Sequence, residues 1–204
     1  PPALNGRPES CLACHAGMTG FAPAHDPRAL GCAVCHLGHP EKTDAADAHA
    51  DMTRTPGNLS IVRRTCATGS CHAAIGDRVR NSLMNTMSGV VAVDKHVFGE
   101  NPDLDRPFVV GQLGHSPADT HLRTLCASCH LGADKTAPGP IDESSRGGGC
   151  SACHLDYGPR AREELERRGR SGLQALEPRA HPAISLQIPD LACFGCHSRS
   201  GRIA

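Results

Sequence analysis

The repeated element of this chain is first seen at Cys11-Leu12-Ala13-Cys14-His15, a C-x-x-C-H motif. Further copies begin at Cys32, Cys126, Cys150 and Cys193. A sixth stretch, Cys66-Ala67-Thr68-Gly69-Ser70-Cys71-His72, has four residues between its cysteines and also ends in histidine. All 12 cysteines of the chain belong to these motifs. One chemistry repeated six times therefore has to explain the fold.

C-x-x-C-H is the attachment motif of c-type haem. Two thiols about one helical turn apart add to the two vinyl groups on one edge of the porphyrin, and the following histidine binds the iron. We therefore predict six covalently bound haem c groups. The predicted haem-attaching residues are Cys11, Cys14, Cys32, Cys35, Cys66, Cys71, Cys126, Cys129, Cys150, Cys153, Cys193 and Cys196. The predicted proximal iron ligands are His15, His36, His72, His130, His154 and His197.

Three other uses of cysteine pairs compete with this interpretation. A structural zinc site takes four ligands and does not need histidine after every second cysteine. A thioredoxin-like redox pair occurs once, on a βαβ scaffold that this sequence does not indicate. A disulfide scaffold tolerates irregular spacing and is typical of shorter chains. Thirteen histidines scattered over 204 residues would rarely follow all six pairs, so haem is favoured.

The composition indicates what fills the interior. The 204 residues include no tryptophan, one tyrosine and four phenylalanines, but 22 glycines and 16 prolines. A chain so poor in bulky side chains cannot build an ordinary core, so the porphyrins have to supply the buried apolar mass. We predict an irregular fold, mostly α-helix and loop with little or no sheet. The polypeptide, a single domain over residues 1–204, would wrap around the chain of six haems.

Local patterns predict a few elements. Apolar residues at helical spacing from Val79 to Val91 indicate a helix over 73–92, and residues 161–177 indicate a charged surface helix or loop. Short helical turns are expected at every motif, and long loops over 40–60 and 99–120. The glycines of Arg146-Gly147-Gly148-Gly149-Cys150 would let the backbone lie close to a macrocycle. The short gaps between motifs 11 and 32, and between 126 and 150, predict two close haem pairs.

The sixth iron ligand decides function, because a second histidine closes the iron whereas an open site admits a substrate. Seven histidines lie outside the motifs, and six irons need six. We therefore expect mostly bis-histidine ligation. The distal candidates favoured by their loop positions are His25, His49, His121 and His181, followed by His96 and His115. His39 is disfavoured because it stands only three residues after His36.

Compartment and partners follow from the same chemistry. Haem c is attached outside the cytoplasm, and the first residues, Pro1-Pro2-Ala3-Leu4-Asn5-Gly6, carry no basic and apolar signal pattern. We expect an exported, mature chain that is periplasmic or extracellular and has no transmembrane span. Formal charge is zero, so ionised propionates would make the holoprotein negative. Expected partners are other redox proteins, copies of itself or extracellular electron acceptors, and not nucleic acid.

The string of motifs resembles multihaem cytochromes of dissimilatory and metal-reducing bacteria. The similarity extends to a group of larger uncharacterised multihaem cytochromes. It rests on His121-Leu122-Arg123, Cys126 to Gly132, Arg146 to Cys150, and Cys193-Phe194-Gly195-Cys196-His197-Ser198-Arg199-Ser200-Gly201-Arg202-Ile203. Members of that group commonly continue past the last segment. The resemblance therefore implies that Ala204 marks a processing site or the end of the ordered, N-terminal part of a longer protein.

Two functions remain open at this point. The first is electron transfer through closely packed haems, in a soluble carrier or in a cytochrome filament, without catalytic residues. The second is an oxidoreductase that reduces or oxidises a small nitrogen or sulfur compound at one five-coordinate haem. The C-x4-C-H motif would be the best place for that iron, whereas no C-x-x-C-K motif occurs and Tyr157 is the only tyrosine.

Overall fold

The computed structural model describes residues 3–142, 146–171 and 178–197, and in these ranges the chain is mostly helix and loop. The α-helices are α1 (Cys11–Cys14), α2 (Pro27–Leu30), α3 (Ala33–His36), α4 (Ala45–His49), α5 (Ala73–Arg80), α6 (Leu83–Thr86), α7 (Ser88–Val97), α8 (Pro117–Leu125), α9 (Cys150–His154), α10 (Pro159–Ser171) and α11 (Asp190–His197). Short 3₁₀ helices cover Pro23–His25, Val62–Arg64 and Val110–Gln112. The helix-and-loop class predicted from the sequence is confirmed.

Strands make a minor contribution. In the described ranges, β1 (Ala3–Leu4) pairs antiparallel with β2 (Arg7–Pro8), and β3 (Leu155–Asp156) pairs antiparallel with β4 (Ala183–Ile184). Each strand has two residues, so neither ladder is a framework by itself. The β3–β4 ladder matters for position, because it brings residue 185 beside residue 154. No helix in the described ranges combines the length and the apolar composition needed to cross a bilayer.

The chain folds as two compact units. The first comprises Pro1–Pro56, Thr136–Pro140 and Cys153–Asp190. Its buried side chains include Tyr157 and Ala161. The hydroxyl of Tyr157 accepts a 2.9 Å hydrogen bond from the backbone N–H of Gly139, which satisfies the one polar atom of this ring.

Helix α10 confirms a helix within the stretch predicted as a charged surface helix or loop over 161–177, but not all of its side chains are solvated. The helix begins earlier, at Pro159, and buries Ala161 and the carboxylate of Glu164. Glu164 accepts a 2.7 Å bond from Arg167, which lowers the pKa of the carboxyl group despite burial. Gly172, Leu173 and Leu176 lie outside the described residues.

The second unit comprises Gly57–Lys135, Ile141–Ala152 and Leu191–Ala204. Two small apolar clusters lie in it. One contains Leu59, Val62 and Ala67, and the other contains Val91, Val110 and Leu122. Because each cluster has only three buried members, aliphatic packing supplies little of the interior that a chain of this length needs.

The single helix predicted over 73–92 is wrong: helices α5, α6 and α7 occupy this stretch. The first break falls at Asn81 and Ser82, where the hydroxyl of Ser82 donates to the carbonyl of Val79 at 2.7 Å. The second falls at Met87, whose φ of 49° is left-handed. Short polar side chains that bond nearby backbone offer the chain an alternative to a continuous helix, and the apolar spacing did not reveal this.

The long loops predicted over 40–60 and 99–120 are also interrupted. Asp44 accepts hydrogen bonds from the N–H groups of Ala46 and Asp47 and so starts α4. Ser116 accepts from the N–H of Asp119 at 3.2 Å and starts α8, with proline at the first helical position. Side chains that cap orphan N–H groups nucleate helices within otherwise irregular segments.

The glycine run before Cys150 lets the backbone pass close to other backbone segments. A Cβ atom at Gly147 would lie 1.7 Å from the carbonyl oxygen of Ala133, and one at Gly149 would lie 2.1 Å from that of Gly57. The N–H of Cys150 donates to the same Gly57 carbonyl at 3.0 Å. The run therefore fixes where the fifth motif begins.

Candidate haem-binding sites

Four of the six motifs lie on helical turns, as predicted. Helix α1 holds both Cys11 and Cys14, α3 follows Cys32, and α9 and α11 carry the fifth and sixth motifs. Residues three apart on a helical turn point to the same side, so both thiols of a motif can meet one edge of a flat ligand. This spacing suits the two vinyl groups of haem.

The third and fourth motifs depart from this prediction. The longer C-x4-C-H stretch forms turns that end at His72, the residue that precedes α5. In the fourth motif, Cys126 caps the C-terminus of α8, and the residues up to His130 form turns. Both histidines still follow their second cysteine directly, so the order of ligating groups is kept.

The structure forms no disulfide among the twelve cysteines, each of which lies in its described part. Cys14, Cys71 and Cys193 are exposed, and the other nine are half-buried. A thiol reacts as the thiolate, so the local environment of each cysteine controls its reactivity.

Thiols of different motifs meet in two places. Cys11 and Cys32 form a hydrogen bond that raises the pKa of Cys11 and lowers that of Cys32. The side chains of Cys66 and Cys150 form a hydrogen bond, which is the main reason why the pKa of Cys66 is lowered to about 7. The first contact agrees with the close pair expected for motifs 11 and 32. The second contact places Cys150, the first residue of the fifth motif, beside the third motif. The short sequence gap predicts instead that the fifth motif lies beside the fourth, which begins at Cys126.

Arg146 links the fourth and sixth motifs. Its Nη1 donates to the sulfur of Cys129 at 2.8 Å, and its carbonyl oxygen accepts from the thiol of Cys196 at 3.4 Å. The side chain is buried, and its Nε atom has no hydrogen-bond partner among the described residues. A buried guanidinium needs an anion, and the propionate of a haem would supply one.

Backbone carbonyls orient two of the predicted proximal histidines. Nδ1 of His36 lies 2.8 Å from the carbonyl oxygen of Thr53, and Nδ1 of His154 lies 2.9 Å from that of Ser185. A carbonyl oxygen can only accept, so Nδ1 carries the proton and Nε2 keeps the lone pair of the neutral ring. Metal-binding histidines usually show this arrangement, because the bond at the second nitrogen fixes tautomer and direction.

Burial favours the neutral form of two predicted proximal rings, those of His36 and His130. It lowers the pKa of His36, although the hydrogen bond to Thr53 partly offsets the effect. Burial also lowers the pKa of His130, whose Nδ1 has no hydrogen-bond partner in the part of the chain that the structure describes. Only a neutral imidazole can bind a metal ion.

Three distal candidates show the same use of Nδ1. This atom bonds to the Asn101 carbonyl in His96, at 3.0 Å, and to the Pro182 carbonyl in His181, at 2.6 Å. In His121 it bonds to a carboxylate, that of Asp94, at 2.9 Å. Each bond leaves the Nε2 lone pair available. Asp94 and the carbonyl-bearing residues were not predicted from the sequence, because contacts of this kind depend on tertiary placement.

Two predicted proximal rings lie close to the rings of distal candidates. The ring centres of His15 and His49 are 6.0 Å apart, and those of His36 and His181 are 5.9 Å apart. Two imidazoles that bind one metal ion from opposite sides, each at about 2.0 Å, have ring centres roughly 6 Å apart. Burial, together with the proximity of His36, lowers the pKa of His181 to about 4.

The chain positions His181 through backbone contacts. The N–H of His181 donates to the carbonyl of Thr19 at 2.8 Å, and the N–H of Thr19 donates to that of Arg179 at 3.1 Å. Gly20, with a φ of +101°, lies so close that a Cβ atom there would be 2.1 Å from the His181 carbonyl oxygen. Phe21 adds a ring contact to His181 with centres 5.0 Å apart.

His39 has a different environment. A carboxylate faces each of its ring nitrogens: Glu41 lies 3.4 Å from Nδ1 and Asp51 lies 3.6 Å from Nε2. Both ring nitrogens therefore have a carboxylate oxygen nearby.

The remaining histidines stand at element ends. His25 ends the 3₁₀ helix Pro23–His25 and is half-buried, whereas His115 is exposed just before α8. The proximal candidates His72 and His197 are exposed at the ends of the third and sixth motifs.

The described residues contain no group of three His, Cys, Asp or Glu side chains that would hold a metal ion by themselves. A haem iron needs only two protein ligands, because the porphyrin supplies four nitrogens. Exposed apolar side chains lie on two helices: Leu191 and Phe194 on α11, which carries the sixth motif, and Val97 on α7, which is 74% exposed. These residues fit a large flat apolar group that covers them.

Comparison with models of protein families, with curated proteins and with solved structures found no significant match to this chain. Its chemistry is therefore inferred from its own residues.

Proposed function

We propose that this chain is a hexahaem c-type cytochrome that transfers electrons singly through six haems, most of them with two histidine ligands. The observation that carries the proposal is the pair His36 and His181. Their ring centres are 5.9 Å apart, and each ring donates from Nδ1 to a backbone carbonyl. Ordinary ring contacts cover about 4.5–7 Å, so distance alone would not suffice. The additional reason for proposing an iron between them is that both rings carry their proton on Nδ1.

The roles of the residues divide simply. The cysteine pairs hold the porphyrin by its vinyl edge, and the following histidine binds the iron. The backbone carbonyls of Thr53 and Ser185 fix the orientation of the His36 and His154 rings. Bound haem supplies one-electron chemistry, because its iron alternates between the ferric and ferrous states. Ligands that stay in place in both states need little reorganisation, which suits a carrier.

The thiol contacts support short distances between neighbouring haems. Cys11 contacts Cys32, and Cys66 contacts Cys150, so the attached vinyl edges would meet within each pair. Arg146 brings Cys129 and Cys196 to one place. The proposed neighbours are therefore the first and second haems, the third and fifth, and the fourth and sixth. The order in space differs from the order along the chain.

We place the protein in the periplasm or outside the cell, since haem c is attached there. Redox proteins or further copies of the chain would be its partners, and assembly into a filament remains one form of this proposal. Light scattering or electron microscopy of the purified holoprotein would separate a filament from a soluble carrier.

Carbon monoxide tests the proposal against the enzyme alternative. Carbon monoxide binds only to ferrous iron with an open position. We expect the reduced holoprotein to keep a low-spin spectrum that carbon monoxide leaves unchanged. Binding to about one sixth of the haem would indicate one five-coordinate iron. The protein would then be tested as an oxidoreductase of nitrite, hydroxylamine and sulfite.

A further inference from the structure

Asp94 is the carboxylate that orients one of the favoured distal candidates. It lies on α7 and accepts a 2.9 Å bond from Nδ1 of His121, which lies on α8. The rings of His36, His96, His154 and His181 donate instead to neutral backbone carbonyls. His121 alone in this set has a charged acceptor.

The carboxylate is well placed to act on the ring. Its side chain is only 16% exposed, and its second oxygen, Oδ2, has no hydrogen-bond partner among the described residues. Among the described residues no other side chain donates to this carboxylate, so its negative charge acts mainly on the His121 ring. A hydrogen bond to an ionised acceptor is roughly twice as strong as one between neutral groups.

The supporting helices are held firmly. Lys95 on α7 forms a 2.6 Å ion pair with Asp119 on α8, and Val91 packs against Leu122 in a buried cluster. The ring of Phe98 lies 5.3 Å from that of His121. The contact between Asp94 and His121, whose side chain is 44% exposed, therefore joins two helices that pack against each other.

The same face of α7 is apolar and uncovered. Val90 and Val97 stand four residues before and three residues after Asp94, so they share its side of the helix. Val90, Val93 and Val97 are all exposed. A haem whose iron is bound by His121 would cover this stripe.

We propose that Asp94 is a positioning residue that lowers the reduction potential of the haem bound by His121 below the potentials of haems with carbonyl-bonded histidines. A stronger bond at Nδ1 raises the basicity of Nε2 as a ligand. The negative charge of Asp94, whose side chain is 16% exposed, also favours the more positive ferric state. Both effects act in the same direction. This inference rests on the proposed haem-binding function.

The test is a spectroelectrochemical titration of the six-haem holoprotein and of its D94N variant. Asparagine keeps an acceptor of the same shape but removes the charge. We expect one of the six components to shift upward, with at least a tenfold rise in its ferrous-to-ferric ratio at fixed potential. For a one-electron couple this is about 59 mV. The low-spin ferric resonance of the same haem should move as well.

Asp77 provides the matched control. It is an aspartate on α5, paired with Arg63 at the surface and 58% exposed. D77N removes the same charge and is expected to leave all six potentials in place. An equal shift of all six components in D94N, or no shift in any, would overturn the role of Asp94.

His121→Ala supplies a test that does not depend on the D94N protein. The lowest-potential component should disappear, and one haem should begin to bind carbon monoxide. Survival of the lowest component in this variant contradicts the assignment. Absence of haem from the wild-type protein would instead reject the proposed function, so the two failures are distinct.

Discussion

The rings of His36 and His181 are nearly perpendicular to each other: their centres are 5.9 Å apart and their planes form an angle of 82°. Each ring bonds a backbone carbonyl through Nδ1, that of Thr53 and that of Pro182 respectively. Burial lowers the pKa of both residues, so both rings are neutral at physiological pH. Two distant parts of the sequence thus bring a pair of neutral imidazoles to the separation that one iron requires.

Replacing His181 by alanine tests this pair directly. Without the sixth ligand, one iron should become high-spin and about one sixth of the reduced haem should bind carbon monoxide. An absorption spectrum with and without the gas measures the fraction. The control is His39→Ala, because a carboxylate faces each ring nitrogen of His39 and we do not propose it as an iron ligand. If both variants bind carbon monoxide equally, or neither does, the pairing of His36 with His181 is wrong.

Gly20→Ala should disturb the same haem from a distance. The left-handed φ of +101° strains any other residue, and the added Cβ atom would lie 2.1 Å from the carbonyl oxygen of His181. We expect the free energy of unfolding to fall by at least about 2 kcal/mol, with partial carbon monoxide binding. Gly17→Ala is the control, since no heavy atom lies within 4 Å of the corresponding Cβ position. A Gly20 variant as stable as the Gly17 variant would contradict the backbone contact.

The ion pair between Lys95 and Asp119 predicts how acid destabilises the second unit. Burial raises the pKa of Asp119, but the Lys95 ammonium and the Ser116 hydroxyl outweigh it and lower the pKa overall. The N–H of Ala118, with Ser116 and Lys95, also lowers the pKa of Glu100. Groups with a lowered folded pKa stabilise the protein above their unfolded values, near pH 4, and this contribution disappears as the pH falls through the folded values.

Asp119→Asn should therefore be less stable at pH 7 and should lose less stability between pH 5 and pH 3 than the wild type. Denaturant unfolding of the holoprotein at several pH values gives the slope. Asp77→Asn is the comparison, because an exposed ion pair contributes little. Equal slopes for the wild type and Asp119→Asn would rule out this pair as a source of acid sensitivity.

The apoprotein should not fold cooperatively. Large apolar side chains remain uncovered without the macrocycles, among them Leu186 at 93% exposure and Leu83 at 72%. A chain with every motif cysteine changed to serine should show no cooperative thermal transition by circular dichroism and should bind a hydrophobic dye. A sharp, reversible melt of this chain would mean that the polypeptide builds its own core.

Sequence reasoning found the elements that local chemistry determines. The helical turns at Cys11–Cys14 and Cys150–His154 follow from the spacing of their cysteines. The helix over 73–92 failed, because Ser82 bonds the Val79 carbonyl and Met87 adopts a left-handed conformation. Apolar periodicity reports which face is buried and not where side chains compete for backbone hydrogen bonds.

The candidate site was predictable in its residue types and not in its pairs. The count of histidines indicated two ligands per iron, but nothing local assigns His49 to His15 or His181 to His36. The contact between Cys66 and Cys150 depends on a bond from the Cys150 N–H to the Gly57 carbonyl, which the sequence does not signal. Such contacts arise from tertiary placement.

The mass of the intact protein tests the central claim most directly. The chain would be produced in a host that attaches haem c outside the cytoplasm, purified without reductant and measured under denaturing conditions, so that only covalent groups remain. We expect the polypeptide mass plus six haem groups, with the C-x4-C-H peptide carrying one of them. A mass equal to the bare polypeptide, or to a chain with disulfides alone, would contradict it.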